Sequence, residues 1–274
     1  LAADGYGVAS ERTYATFDEM AKREAERDDG IDFAVIATPN NTHYAASLAF
    51  LQNGINVSCD KPLCFTVEEA LNLARVAKEN DLLFMVTYVY TGYPIIRHAR
   101  ELVRGGQLGD IRVVMAEYAQ DWLADKAEDG GNAQAKWRTD PAQAGVSCCV
   151  GDIGTHVENM VHFVTGLEIE KISATLSTFV DGRRLDDNAL IAIKYAGGAV
   201  GHYWPSQVAV GRENGLAFRI YGTEGSLEWE QENPNVMRFT KKGCPPTLLT
   251  RGGPNMSESA KRWTHLPSGH PEGL

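Results

Sequence analysis

The stretch that decides the fold is Asp32–Pro62, DFAVIATPNNTHYAASLAFLQNGINVSCDKP. Its apolar run Phe33–Ala37 carries no charge and stops at the polar turn Thr38–Asn41, which predicts a strand buried on both faces. The residues that follow have helical spacing, with Thr42 as the expected cap and Gly54 as the expected end. A strand followed directly by a helix is the first half of a βαβ unit.

The second strand of this unit is Ile55–Ser58, and it delivers Lys61 at its carboxyl end. Strand, helix and strand in this order form a right-handed crossover with parallel strands, so both strands end at the same edge of the sheet. We therefore expect Lys61 to lie close to the turn Thr38–His43. A helix after Thr66 and a buried strand at Leu82–Thr87 repeat the unit, which predicts a doubly wound parallel sheet over residues 1–91.

The pattern changes after this point, and residues 92–274 are predicted to form a second domain. Long strands with alternating polarity and glycine-containing turns predict a large, mostly antiparallel open sheet with one polar face. The predicted strands are 111–122, 171–180, 188–197, 198–208, 215–222 and 226–232. A helix over about Ile153–Thr165 should cover the other face, and residues 243–274, rich in Pro and Gly, are predicted to form an irregular arm.

Composition narrows the class of protein. The net charge of −10, without a Lys/Arg block, argues against a nucleic-acid surface, and no apolar run reaches the roughly 20 residues of a membrane span. Five cysteines without periodic spacing indicate reduced thiols and a cytoplasmic protein. Small-molecule chemistry is therefore the expected function.

Three motifs carry a family resemblance: IATPNNTH at 36–43, NGINVSCDKPL at 53–63 and GDIGTH at 151–156. Together they resemble the large family of NAD(P)-dependent sugar and polyol dehydrogenases typified by glucose-fructose oxidoreductase and inositol 2-dehydrogenase. Asp60 stands where this family usually has Glu before Lys-Pro, which keeps the carboxylate. The resemblance implies a Rossmann-type domain followed by an α+β domain whose open sheet face mediates homo-oligomer contacts, as a dimer or tetramer.

The candidate catalytic residues are Lys61, Asp152 and His156. Asp152 and His156 are four residues apart, so on a helix they share one face and can act on one substrate. Separately each has a structural explanation: Lys61 as a surface partner of Asp60, Asp152 as a helix cap, His156 as a core histidine. Together they supply a base, an orienting carboxylate and a cation, the groups that hydride transfer from an alcohol needs.

The resemblance assigns His156 as general base, Asp152 to substrate binding and orientation, and Lys61 to a shared proton-transfer and electrostatic role. The residues expected to bind the cofactor, NAD or NADP, are Thr38, Pro39, Asn40, His43, Asp60, Lys61, Trp137 and Arg138. Those expected to bind substrate are Lys61, Tyr93, Trp122, Arg138, Asp152 and His156, with Tyr90 and Gln120 as further candidates for recognising hydroxyl groups. Pro62 after Lys61 is a candidate for a cis peptide bond.

Two alternatives involve metal or thiol chemistry. The spacing of Cys149, Asp152 and His156 permits a metal site, but no H-E-x-x-H or paired C-x-x-C cluster accompanies it, so no metal is expected. The vicinal pair Cys148–Cys149 could bind a soft metal or undergo redox cycling, and small-residue packing is the favoured explanation.

The sequence lacks the G-x-G-x-x-G turn and the acidic residue that begin a dinucleotide-binding half. We therefore expect a fragment that has lost its first βαβ elements, and the end of the chain, Gly269–Gly273, also suggests truncation. The choice between NAD and NADP stays open, as does substrate identity, because Tyr88–Pro94 departs from the family pattern. The expected function is hydride transfer between NAD(P) and a secondary hydroxyl of a sugar, inositol or related polyol; the alternative is a non-catalytic, dinucleotide-dependent sugar sensor.

Overall fold

Two compact units make up the computed structural model, which describes residues 5–270. The first contains the described residues up to Thr87 together with Ala142–Gly145. The second contains Tyr88–Pro141 and the described residues from Val146 onward. Residues 271–273, part of the expected C-terminal stretch, lie outside the described residues.

The first unit is built around a parallel sheet of three strands in the order β1-β2-β3. Its helices and strands are α1 (Phe17–Ala25), β1 (Phe33–Ile36), α2 (His43–Gln52), β2 (Asn56–Cys59), α3 (Val67–Glu79) and β3 (Phe84–Val86). The register aligns Ile36 with Cys59 and Cys59 with Val86, so all three strands end at one edge. The predicted parallel α/β arrangement is confirmed.

The helix starts in this unit follow local capping rules, with one exception. Thr66 and Glu69 form a complete capping box at the start of α3, as predicted. Thr42 stands at the predicted N-cap position of α2, at the end of a 3-10 turn over Asn40–Thr42, but the predicted side-chain cap is wrong, because its oxygen accepts no N–H of the helix. The Thr42 hydroxyl instead donates to the Pro39 carbonyl at 2.9 Å.

The prediction that β1 is buried on both faces is also wrong. Ala34 and Ile36 belong to the buried cluster of this unit, but Phe33 and Val35 are 58% and 63% exposed. Successive side chains of a strand point to opposite faces, and in the described residues only one face of β1 lies against the buried cluster. A continuous apolar run does not by itself show how many faces of a strand are covered.

The second unit contains an eight-stranded sheet with the order β11-β10-β9-β8-β4-β7-β6-β5. From Pro94 onward the helices and strands are, in chain order, α4 (Pro94–Arg104), β4 (Ile111–Ala119), α5 (Ala133–Arg138), α6 (Pro141–Ala144), a π-helical turn (Val150–Gly154), α7 (Thr155–Thr165), β5 (Ile169–Ser177), β6 (Asn188–Tyr195), β7 (Val200–Ser206), β8 (Gly215–Gly222), β9 (Gly225–Glu230), β10 (Val236–Lys241), β11 (Thr247–Thr250) and α8 (Glu258–Arg262). All of them belong to the second unit except α6, which lies mostly in the first. Within this sheet, as far as the described residues show, β4 and β7 are the only parallel pair, so the predicted, mostly antiparallel sheet is confirmed.

The two faces of this sheet differ in burial. Val114, Phe218 and Ile220 point toward α4 and α7 and lie in the main buried cluster. The register places another set of side chains on the opposite face, which we call the open face: Met115, Glu117, Leu190, Val200, Arg219, Glu228, Arg238 and Leu248. No helix in the described residues is both long and apolar enough to cross a membrane.

The predicted irregular arm over residues 243–274 is partly wrong, since it contains β11 and α8. β11 pairs antiparallel with β10, a strand that the sequence patterns did not indicate. The segment is ordered by Arg251, a buried side chain that donates to the carbonyl oxygens of Leu266, Pro267 and His270. These contacts satisfy backbone groups in a stretch whose composition alone resembles a loop.

Candidate functional site

In the first unit, the predicted cofactor residues Thr38, Pro39 and Asn40 form one turn at the carboxyl end of β1. The Thr38 and Thr42 hydroxyls lie 2.5 Å apart, and Thr38 must be the donor because Thr42 donates to the Pro39 carbonyl. Asn40 is buried, and its amide donates to the Ala144 carbonyl at 3.1 Å. Asn40 therefore anchors the turn within the unit, while Thr38 is exposed on it.

His43 joins this turn to the next one. Its ring is 1% exposed, and its two nitrogens each lie 2.8 Å from a backbone carbonyl oxygen, Nδ1 from that of Pro62 and Nε2 from that of Thr38. The ring thus spans the ends of β1 and β2. Both nitrogens are engaged with backbone, so His43 contributes to the site by holding the two turns together.

Asp60, Lys61 and Pro62 follow β2 directly. The Asp60 N–H donates to the Ile36 carbonyl at 2.8 Å, and its carboxylate accepts a hydrogen bond from the Thr87 hydroxyl. The Lys61–Pro62 peptide bond is cis, as the sequence suggested. The predicted closeness of Lys61 to the Thr38–His43 turn is confirmed, because His43 contacts the Pro62 carbonyl.

In the second unit, Asp152 lies in the π-helical turn that leads into α7. One of its carboxylate oxygens, Oδ2, accepts from the Arg138 Nε at 3.2 Å and from the Gln207 Nε2 at 2.8 Å. The structure therefore brings together two of the predicted site residues, Asp152 and Arg138, and adds an amide that the sequence did not indicate. Two donors on one oxygen fix the orientation of this carboxylate.

His156, in the first turn of α7, is 6% exposed and surrounded by tyrosine rings. Its ring centroid lies 5.5, 4.8 and 5.9 Å from those of Tyr88, Tyr90 and Tyr118, all in edge-type contacts. These contacts hold the plane of the imidazole. Burial raises the pKa of Tyr118, and the nearby Asp152 charge adds to this effect.

A chain of hydrogen bonds leads from Tyr90 through Tyr118, Asn214 and Gln120 to Trp122, and the chemistry of the side chains fixes which group donates at each step. The Trp122 indole only donates, so Gln120 presents Oε1 to it at 3.2 Å and its NH₂ to Asn214 Oδ1 at 3.0 Å. Asn214 Oδ1 then accepts from the Tyr118 hydroxyl at 2.6 Å, and Tyr118 accepts from Tyr90 at 2.6 Å. The Tyr90 proton is therefore committed to Tyr118, and the Tyr90 oxygen can only accept from a further group.

The other predicted site residues of the second unit, Tyr93, Trp122, Trp137 and Arg138, make aromatic and cation–π contacts. Tyr93 is 7% exposed and its ring lies 6.2 Å from that of Tyr90, so it belongs to the core beneath the tyrosines. The Arg138 guanidinium lies 4.2 Å from the Trp137 ring centre and 5.8 Å from that of Trp122. The two indoles restrain the arginine through cation–π contacts while its Nε remains on Asp152.

The thiols near Asp152 are buried. Burial, with the Asp152 and Asp186 charges, raises the pKa of Cys148 to about 12, and burial also raises that of Cys149. Both side chains are therefore protonated at neutral pH, which favours the packing explanation. Among residues 5–270, no three His, Cys, Asp or Glu side chains are grouped so that they could hold a metal ion.

Sequence reasoning missed Tyr118, Asp186, Gln207 and Asn214. Gln207 and Asp152 are 55 positions apart in the chain. No local sequence motif therefore indicates that these two side chains form a hydrogen bond. Tyr118 lies on a predicted strand, but the alternation of that strand indicates only that it faces the core. The pairing of β4 with β7 and β8, which brings Tyr118, Gln207 and Asn214 to one end of these strands, cannot be read from the sequence.

Family models match both parts of the chain. Residues 2–88 match a model described as "Oxidoreductase family, NAD-binding Rossmann fold", and residues 96–228 match one described as "GFO/IDH/MocA C-terminal domain". An uncharacterized oxidoreductase of Bacillus subtilis is 36% identical over 270 residues, which is 98% of this chain and 69% of that protein. The levoglucosan dehydrogenase of Pseudarthrobacter phenanthrenivorans is 32% identical over 234 residues, 77% of this chain and 58% of that enzyme.

Solved structures agree with these matches. An inositol dehydrogenase homolog from Azotobacter vinelandii, complexed with NAD+, superposes with a TM-score of 0.95 at 38% identity, covering 99% of this chain and 70% of that one. An inositol dehydrogenase homolog from Azotobacter vinelandii complexed with NADH and myo-inositol gives a TM-score of 0.92 at 36% identity, with 99% and 69% coverage. The chain thus spans between 58% and 70% of the length of these relatives.

Proposed function

Because the chain belongs to the GFO/IDH/MocA family of oxidoreductases, we propose that it moves a hydride between NAD or NADP and a secondary hydroxyl of a sugar, inositol or related polyol. The observation that carries the proposal is the arrangement in the second unit. There Asp152 is oriented by Arg138 and Gln207, and His156, one helical turn away, is held among tyrosines. These are the groups that bind a hydroxyl and remove its proton.

Three residues carry the reaction. His156 takes the hydroxyl proton as general base, Asp152 accepts a hydrogen bond from the substrate and orients it, and Lys61 shares in proton transfer and steadies the developing negative charge. A bound nicotinamide supplies the hydride acceptor. Tyr90, whose oxygen can only accept, favours a substrate hydroxyl that donates, which suits a polyol.

The first group of residues proposed to hold the cofactor lies at the edge of the parallel sheet. The turn Thr38–His43 and the strand end Asp60–Lys61 meet at one edge of the parallel sheet, where α/β folds bind dinucleotides. Trp137 and Arg138 are proposed to border the nicotinamide, and Trp122 and Tyr93 to shape the substrate pocket with Arg138. The exposed polar groups of the turn fit a ribose and phosphate better than an apolar ligand.

Two further properties are proposed for the whole protein. We infer a homo-oligomer, a dimer or tetramer, formed through the open face, where exposed apolar side chains alternate with charges of both signs. We also infer a cytoplasmic location, which the five free thiols support because reducing compartments keep cysteines unpaired.

The test is an absorbance assay of nicotinamide reduction. The natural full-length protein is mixed with NAD or NADP and with myo-inositol, levoglucosan, aldoses and sugar acids in turn. We expect reduction of the dinucleotide with at least one polyol, which identifies the cofactor and the substrate together. The proposal would be contradicted by a protein that binds the dinucleotide, as measured by calorimetry, yet reduces it with no member of the panel.

A further inference from the structure

The turn that carries Asp152 is held by a carboxylate from a distant part of the chain. Asp186, which is 6% exposed, accepts from the Cys148 N–H at 3.0 Å, from the Val150 N–H at 2.9 Å and from the Ser147 hydroxyl at 3.0 Å. The Ser147 oxygen in turn accepts from the Gly151 N–H at 3.0 Å. Donors at the start of the π-helical turn are thus satisfied, so the backbone beneath Asp152 is fixed.

Gln207 acts on the side chain of Asp152 itself. It follows β7, is 0% exposed, and its own backbone N–H donates to the Asp187 carbonyl at 2.9 Å. Its amide lies between two groups, with Oε1 3.2 Å from the Cys148 sulfur and Nε2 2.8 Å from the Asp152 carboxylate. A buried amide with both ends engaged has one orientation.

The direction of these bonds follows from the carboxylate. An ionised Asp152 can only accept, so the NH₂ group of Gln207 must face it, and Gln207 Oε1 then accepts from the Cys148 thiol. A neutral donor at this distance favours the ionised carboxylate without adding a second charge. Arg138, the other donor to the same oxygen, is 22% exposed at its side chain, so Gln207 is the donor shielded from water.

We propose that Gln207 is a positioning residue: its amide, fixed by Cys148, holds the Asp152 carboxylate ionised and oriented toward the substrate. The proposal rests on the proposed function for the role of Asp152, but the contact itself does not. Among the described residues of the second unit, the titratable and charged groups that interact with Asp152 include Arg138, Tyr118, Cys148 and Cys149, with His156 four residues along the chain.

A stability cycle tests the contact without any turnover. Gln207→Glu places a second carboxylate against Asp152, so we expect a lower melting temperature at pH 7. In the Asp152→Asn background the loss should be clearly smaller, because an amide then faces the new carboxylate. Gln107→Glu, an exposed change of the same kind, is the control and should change little. Equal losses in both backgrounds would overturn the proposal.

The pH dependence of kcat/KM tests the positioning role in the natural full-length protein. Gln207→Leu removes the donor, and we expect kcat/KM to fall roughly 10-fold. On the acidic limb, the ionisation that Asp152→Asn abolishes, as distinct from that of the base His156, should move up by about one pH unit, since the protonated carboxyl is then favoured. Dinucleotide affinity should not change. A lower rate with an unshifted limb would mean a merely structural role and would overturn the proposal.

The two failures are distinguishable. Absence of turnover in the unaltered protein contradicts the proposed function, whereas absence of coupling between positions 152 and 207 contradicts the role of Gln207. If Gln207→Glu does not fold, Gln207→Leu measured in the same two backgrounds takes its place in the cycle. Coupling is expected there too, because the leucine removes a donor from Asp152.

Discussion

His156 is the residue on which the proposed proton transfer depends. Its replacement by alanine removes the base, so we expect kcat to fall by roughly 10²-fold or more, with little change in dinucleotide affinity. Steady-state kinetics and calorimetric titration measure the two quantities. His162→Ala is the matched control, because His162 lies on the same helix but is exposed. Unaltered turnover in His156→Ala would remove the general-base assignment.

Also at the residue scale, the sequence identified the candidate reacting groups but not the side chains that form hydrogen bonds with them. Lys61, Asp152 and His156 could be selected from the sequence because each lies in a short motif with a chemical reason for its residue types. Gln207 and Asp186 could not, since their contacts with the Asp152 turn join positions far apart in the chain. A motif indicates the reacting group, whereas its hydrogen-bond partners depend on tertiary packing.

At the scale of elements, the imidazole ring of His43 contacts the backbone that follows β1 and the backbone that follows β2. His43→Phe keeps the size of the ring but removes both contacts to the Thr38 and Pro62 carbonyls. A neutral imidazole donates to only one of these carbonyls, so leaving that buried carbonyl unsatisfied should lower the free energy of unfolding by roughly 1–3 kcal/mol. Urea denaturation measures the loss, and Asn41→Ala, an exposed change in the same turn, is the control.

Dinucleotide affinity should fall in the same His43→Phe variant, because the turn proposed to face the cofactor loses its support. A loss of stability no larger than that of Asn41→Ala would show that the two carbonyls do not depend on the ring. Retained stability with lost affinity would instead assign His43 a direct role in binding.

Secondary structure was predictable where local signals suffice. The capping box at Thr66 and the proline at the start of α4 define their helices within a few residues of sequence. β11 was not predictable, because its pairing with β10 and the buried contacts of Arg251 are what order a stretch rich in Pro and Gly. Exposure of Phe33 and Val35 was likewise set by packing outside the strand.

At the scale of the whole molecule, the order of the elements was the most informative property of the sequence. Alternating strands and helices followed by long alternating strands predicted a parallel sheet and then a mostly antiparallel one, and both are present. The strand order β8-β4-β7, which brings Tyr118 beside His156, follows from long-range pairing and could not be derived.

The open face supplies the last prediction, on assembly. Leu190, Val200 and Leu248 are 47%, 48% and 65% exposed there, and a charge placed among them would have to be desolvated in an interface between copies. Leu190→Asp should therefore shift the protein to a smaller species, measured by size-exclusion chromatography with light scattering. Val210→Asp, at an 83% exposed position in the loop between β7 and β8, is the control and should leave the mass unchanged. An oligomer that survives Leu190→Asp would have to form through another surface.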